Sequence, residues 1–394
     1  MIQNLIDNNK IKIFFQPIVS IKDKRIFSFE ALTRAYDENN EIISPMYLFE
    51  QARKENLSNT LDSYVRELAI EKFQDFYNKD KNILLFLNFE SSIIDSDETD
   101  NFIDVVTKNN INPSNIVIEI KEDSVKDNLS LVKFVKKYRE LGFIIAIDDF
   151  GTGYSSFDRL SLIKPDIVKV DRSIIYDIDK NFIHSEILKA ISNMCHKIGA
   201  IVLAEGVESK DEILNCLKKD IDIYQGFYFS KPKDDINKNK QNDILSLVNN
   251  IGNEYKQIVK KHMHKKQSLL ENSKNLTKQV LSVLKPDNIE YKNEIEKLIL
   301  NNKKLEAIYI IDYTNGLQIG KTIIQAEKKA LFNPTKNGHD HSLKEYYYIA
   351  KESLRGDYLS GKYISKASGN ICRTYSSKIK SENSNYIVCM DITI

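Results

Sequence analysis

The chain has 394 residues, 42% hydrophobic and 29% charged, a composition that fits a globular protein with room for two or three domains. Lysine plus arginine number 57 and aspartate plus glutamate 56, leaving a formal charge of +1. That balance excludes a general attraction to nucleic acid or to an anionic membrane, so a phosphate-bearing ligand has to be held by local chemistry.

Residues 1–15 mix polar and apolar side chains and lack the apolar core of a signal peptide. No apolar run is long enough to span a bilayer, so the expected location is the cytoplasm. Short β-branched runs then recur at Ile11–Val19, Arg25–Leu32, Ile83–Glu90, Ile116–Glu122, Ile144–Phe150, Ile167–Asp171, Ile201–Val207 and Tyr224–Ser230. They read as buried strands. Amphipathic stretches such as Ser124–Leu141 and Ser173–Ile198 lie between most of them. Strand alternating with helix predicts a parallel sheet, and eight strands predict a barrel. Only Ser20 to Lys24 separate the first two runs, too few for a parallel crossover, so these two should pair antiparallel. The expected fold is α/β: a TIM-like (β/α)8 barrel with one antiparallel strand.

After Pro232 the texture changes. Lys233–Lys240 is charged and marks a domain boundary. Ile244, Val248, Ile251, Tyr255 and Ile258 then step by four and three, partly continued by Leu269, Leu276, Val280 and Val283. This is a long linker helix with one apolar seam, either a coiled coil or a helix packed on its own barrel. Strand patterns return at Ala307–Asp312, Leu317–Ile324, Tyr358–Ile364, Asn370–Ile379 and Tyr386–Ile394, with a helix at Ser342–Leu354. That order predicts a small α+β module. The expected domains are residues 1–235, a helical linker at 236–285 and a module at 286–394. Cys195, Cys216, Cys372 and Cys389 form no C-x-x-C pair and read as reduced packing residues. His339 and His341 flank Asp340 in a polar loop and read as solvated.

In such a barrel the active site lies where the strands end. Glu30 closes the second run, Asn88 the third, Glu119 lies in the fourth, and Asp148 and Asp149 end the fifth. Lys169 lies in the sixth, Glu205 in the seventh and Gln225 opens the eighth. A lone strand glutamate is usually a hydrogen-bonded structural residue, and Gln225 alone means little. That bland explanation would have to hold at six or seven strand ends at once. Burying several carboxylates together is costly because like charges resist joint ionisation. Divalent cations resolve the conflict, and oxygen donors with no sulfur favour Mg2+ or Mn2+ over zinc.

Glu30-Ala31-Leu32-Thr33-Arg34, Gln16-Pro17-Ile18-Val19, Glu119-Ile120-Lys121-Glu122 and Asp148-Asp149-Phe150-Gly151-Thr152-Gly153-Tyr154-Ser155-Ser156 come in that set, joined by Pro165 to Asp171, Glu205-Gly206-Val207-Glu208 and Gln225-Gly226-Phe227. Together they resemble the EAL-domain cyclic di-GMP phosphodiesterases over about the first 235 residues. The resemblance implies a two-metal hydrolysis of cyclic di-GMP to linear pGpG, with catalytically weak reception of the nucleotide as the alternative. It implies Glu30, Asn88, Glu119, Asp148 and Asp149 as metal ligands and Glu205 as general base. Lys169 would touch the attacking water or the scissile phosphate. Gln16, Arg34, Glu208 and Gln225 would support or hold substrate, and Glu122 would position the loop that starts at Asp148. Ala35 stands where the family often has an aromatic residue, and Lys121 where threonine is usual. Homodimers are also implied. The tyrosines and short strands after residue 340 resemble PAS/Cache-like sensor folds, which implies an unknown small-molecule or protein input.

Overall fold

The computed structural model describes residues 1–90, 94, 102–121, 127–152, 157–283, 299, 301–324, 334–365, 369–380 and 385–393. They form two compact units, Met1–Ile258 and Val259–Ile394.

In the first unit the strands are β1 (Ile11–Ser20), β2 (Arg25–Tyr36), β3 (Ile42–Ile43), β4 (Leu84–Asn88), β5 (Ile116–Lys121), β6 (Ile144–Phe150), β7 (Ile167–Val170), β8 (Ile201–Ala204) and β9 (Ile223–Gln225). Their order is β1-β9-β8-β7-β6-β5-β4-β2-β3, and β1 also pairs with β2, which closes an eight-stranded barrel with β3 as an extra edge. β1 is antiparallel to both neighbours, β2 and β9, whereas β2 and β4 to β9 run parallel. The reversed strand expected from the short connection is therefore present.

The lumen of the barrel explains how apolar strands come to carry charge. Ile18, Phe86, Val117, Ala146, Ile167, Leu203 and Ile223 pack together inside it. Side chains two apart on a strand face the same way. Two residues after Phe86, Val117, Ala146, Ile167, Leu203 and Ile223 come Asn88, Glu119, Asp148, Lys169, Glu205 and Gln225. On reversed β1 the order inverts, and Gln16 precedes Ile18. One greasy layer thus floors one polar layer at the mouth.

The helices differ in places from expectation. Two that the periodicity does not disclose, Pro45–Lys54 and Ser58–Lys79, precede β4. The stretch expected as a single helix from Ser173 divides into Arg172–Ile175 and Phe182–Ile198. Asp177 between them is left-handed at φ 50, and the Asn181 side chain caps the second helix by accepting from the Ile183 and His184 amides. A 46-residue helix, Lys238–Val283, spans the stretch expected to be helical, and the Val280 and Val283 side chains of the expected seam lie outside the described residues. Its Ile244, Val248 and Ile251 join the apolar core of the first unit, so this part of the seam is a helix packed on its own barrel.

The second unit is an antiparallel sheet of β10 (Leu305–Asp312), β11 (Gln318–Ile324), β12 (Asp357–Leu359), β13 (Tyr363–Ile364), β14 (Ile371–Lys380) and β15 (Asn385–Thr393). The order is β11-β10-β15-β14-β12, with β13 also on β14. The run expected from Tyr358 to Ile364 is two strands. Ser360 separates them, its hydroxyl accepting the Thr374 amide where a backbone carbonyl would otherwise serve. Tyr347 and Ala350 of the helix Glu345–Glu352 pack against Tyr309, Ile311, Ile387 and Cys389 on one sheet face. His341, expected in solvent, is buried: Tyr346 lies 2.7 Å from its Nδ1 and Gln318 Oε1 3.0 Å from its Nε2. All four cysteines are free and buried.

Candidate active site

Lys169 stands at the centre of the polar layer and is 1% exposed. Its Nζ lies 2.5 Å from Glu119 Oε1, 2.8 Å from Asp148 Oδ1, 2.8 Å from Glu205 Oε1 and 3.7 Å from Glu30 Oε1. Burial alone would lower the lysine pKa. The charges of Asp148, Glu119, Glu205 and Glu30 outweigh it and raise it well above the ordinary value. The converse holds for the acids. Burial, then the charge of Glu30, lifts Glu119 far above the usual carboxylate range despite Lys169. Burial raises Glu205 too, against the pull of Lys169. One ammonium among Glu30, Glu119, Asp148, Asp149 and Glu205 leaves the cluster short of positive charge.

The neighbouring amides fix Glu30. Asn88 Nδ2 donates to Glu30 Oε1 at 3.1 Å, so its carbonyl oxygen is not spent on Glu30. Gln225 Nε2 donates to the other oxygen of Glu30 and, at 3.1 Å, to Gln16 Oε1. Gln16 Nε2 in turn donates to the Ser230 carbonyl at 3.1 Å. Gln16 and Gln225 are buried at the β1–β9 joint beneath Glu30.

Asp148 and Asp149 are adjacent, so on a regular strand they would face opposite ways. The β6–β7 register shifts between Ile147 and Phe150, and Asp149 takes a left-handed φ of 57. This irregularity lets Asp148, Asp149 and Glu205 each bring a carboxylate oxygen within 4.8 Å of the others. Burial, then the charge of Asp148, raises Asp149. Glu119 Oε2 is buried with no hydrogen-bond partner among the described residues. An orphaned carboxyl oxygen beside three converging acidic groups is a donor set suited to hard divalent cations.

A cleft of about 590 Å3 opens above these groups. Arg34 lines it and donates Nη1 to the Thr33 carbonyl at 2.7 Å. The sequence reading missed Phe49, Arg53, Asp62 and Arg66, which form its far wall. Asp62 and Arg66 make a buried pair at 2.6 Å, with the guanidinium 4.3 Å from the Phe89 ring centre. The signal that could have found them is a charged i,i+4 pair on an otherwise apolar helix face. One expected site residue lies apart from the cluster: the Glu208 carboxylate is 2.8 Å from Arg172 Nη2 and does not line the cleft. Glu122 falls outside the described residues.

A carboxylate-rich mouth on a barrel with one reversed strand defines the class. The EAL domain model matches residues 1–232, and the chain belongs to the EAL-domain family. It is 28% identical over 237 residues to the probable cyclic di-GMP phosphodiesterase PdeB of Escherichia coli, covering 59% of this chain and 45% of that protein. The chain thus spans less than half the length of that curated relative. The crystal structure of Bacillus subtilis YkuI, an EAL-domain protein in complex with c-di-GMP and calcium, superposes with a TM-score of 0.84 over 100% of this chain and 99% of the other, at 19% identity. Klebsiella pneumoniae BlrP1 in a manganese and cyclic di-GMP complex gives 0.51 at 28% identity, covering 57% and 56% of the two chains.

Proposed function

We propose that this protein is a metal-dependent phosphodiesterase that opens cyclic di-GMP to linear pGpG. The observation that carries the reading is the convergence of Asp148, Asp149 and Glu205 beside the orphaned Glu119 oxygen, under a cleft lined by Arg34. Glu30, Asn88, Glu119, Asp148 and Asp149 would hold two Mg2+ or Mn2+ ions, which supply charge neutralisation and Lewis acidity at the phosphate. Glu205, held 2.8 Å from Lys169 and converging on Asp148 and Asp149, takes the proton of the attacking water. Lys169 holds Glu205 in place and faces the charge that develops on phosphate. Arg34 presents a guanidinium suited to a phosphate oxygen. Gln16 and Gln225 keep Glu30 oriented, and Glu122 positions the loop begun by Asp148.

Residues 1–235 form the catalytic domain, 236–285 the linker and 286–394 a PAS/Cache-like module that receives a small-molecule or protein input. A cytoplasmic location remains part of the reading from the sequence. Among the described residues no helix is long and apolar enough to cross a membrane. A homodimer is part of the reading, as the family resemblance implies, and Phe157, Phe182 and Ile183 are exposed apolar side chains that such a contact could cover.

The test is incubation of the full chain with cyclic di-GMP and Mg2+ or Mn2+, and with a chelator. Appearance of pGpG only with metal, and its loss in Glu205→Gln with nucleotide binding retained, are the expected results. Binding without product at any metal concentration would replace the enzyme with a receptor.

A further inference from the structure

We propose that Arg172 is a positioning residue for Glu205, and that Glu208 serves this reaction by holding Arg172 rather than by touching substrate. The proposal rests on the phosphodiesterase reading and deepens it. Arg172 opens the short helix after β7, which the Asp171 side chain caps by accepting the Ser173 amide at 2.8 Å. Its Nη1 donates to the Gly206 carbonyl, its Nη2 pairs with Glu208 Oε2 at 2.8 Å, and its guanidinium carbon lies 5.3 Å from the Tyr176 ring centre. Two groups of one planar fork therefore grip both ends of the segment Gly206 to Glu208.

Gly206 is shaped to that grip. It is left-handed at φ 64, and a Cβ there would come within 2.9 Å of the arginine stem. On the other side the Glu205 amide bonds the Val170 carbonyl at 3.0 Å, and the Val207 amide bonds the Gln225 carbonyl at 3.0 Å. Glu205 is thus the first residue of a turn pinned by β7, by β9 and by Arg172. Its carboxylate has to meet Lys169 at 2.8 Å and converge on Asp148 and Asp149, which a loose turn would not ensure.

Arg172→Met, Arg172→Lys, Glu208→Gln and the Arg172→Met/Glu208→Gln double variant test this in the full chain. We expect Arg172→Met to lower kcat about 10- to 100-fold with KM for cyclic di-GMP and the half-activating Mn2+ concentration within about two-fold of the parent. Arg172→Lys, which keeps the charge but loses the fork, should fall between, and Glu208→Gln should lower kcat less. The double variant should be no worse than Arg172→Met, because the two side chains act as one. An unchanged kcat in Arg172→Met overturns the proposal. A raised KM with unchanged kcat, in either Arg172→Met or Glu208→Gln, makes these residues substrate contacts and also overturns it. Hydrogen–deuterium exchange over residues 205–208 is independent of turnover. It should quicken in Arg172→Met, and unchanged exchange refutes the brace even if the parent chain makes no pGpG. A parent that makes none while exchange quickens would sink the enzyme reading and leave the brace standing.

Discussion

The Lys169 ammonium lies 2.5 Å from the Glu119 carboxylate, and both side chains are sealed from solvent at the barrel mouth. This contact joins the stability of the fold to the chemistry of the site, since neither group is tolerable there without the other or a cation in its place.

Lys169→Met should therefore abolish turnover and also weaken the fold. Breaking a buried pair by removing one partner costs about 3–5 kcal/mol. Millimolar Mg2+ or Mn2+ should restore much of the melting temperature without restoring activity. Scanning fluorimetry with and without divalent cation reads both effects, and a melting temperature indifferent to metal would contradict the account of the cluster.

Asp149 combines a donor oxygen with an unusual backbone. Asparagine tolerates the left-handed region nearly as well as aspartate, so Asp149→Asn should keep the melting temperature and lose metal affinity by calorimetry. Asp149→Val should lose both, with about 1–2 kcal/mol of extra destabilisation from the strained φ. Equal stability of the two variants would mean that the irregularity in β6 relaxes freely.

Gly226 has no room for a side chain. A Cβ there would run into the backbone of Val207, which follows the Glu205–Gly206 pair. Gly226→Ala should cost about 1–3 kcal/mol of stability, as overpacking does, and lower kcat by displacing the turn that carries Glu205. Chemical denaturation and a turnover assay together check it.

The second unit should respond to acid through His341. Burial, then the charges of His339 and Lys344, lowers its pKa to about 4 from the ordinary 6.5. The folded state therefore binds fewer protons than the unfolded one between these values. The stability this neutral ring contributes is present above about pH 6.5 and is lost as pH falls toward 4. NMR of labelled histidine should find the His341 ring still neutral at pH 5, its signal assigned by its loss in His341→Asn.

The strand ends were legible in the sequence because charge interrupts apolar runs there, and a period of two allows a single answer about which way each faces. Glu30, Glu119, Asp148, Lys169 and Glu205 fall into one layer for that reason. Of the far wall the sequence shows only the i,i+4 spacing of Asp62 and Arg66. On the helix Ser58–Lys79, buried Asp62 and Arg66 sit among Leu61, Ala69, Ile70 and Phe73 and break the apolar periodicity that would announce a packed face. The pairing of Glu208 with Arg172 was hidden for another reason: 36 residues separate them, and proximity of that kind is set by the β7–β8 pairing rather than by any local pattern. His341 looked solvated because its neighbours are polar, yet Gln318 and Tyr346 supply enough hydrogen bonds to bury it.

The reversal of β1 bears on how the molecule acquires its site. β1 pairs at once with β2 next to it, but its other edge waits for β9, where Ile18 meets Gln225, and for Lys233 opposite Phe15. Such distant pairings form late, because ordering the intervening chain is slow. Gln225 is also the residue that locks Glu30 in place. A nascent or nicked chain that lacks this last strand would hold its acids on separate, unregistered strands, so that competence to bind metal would come only with ring closure.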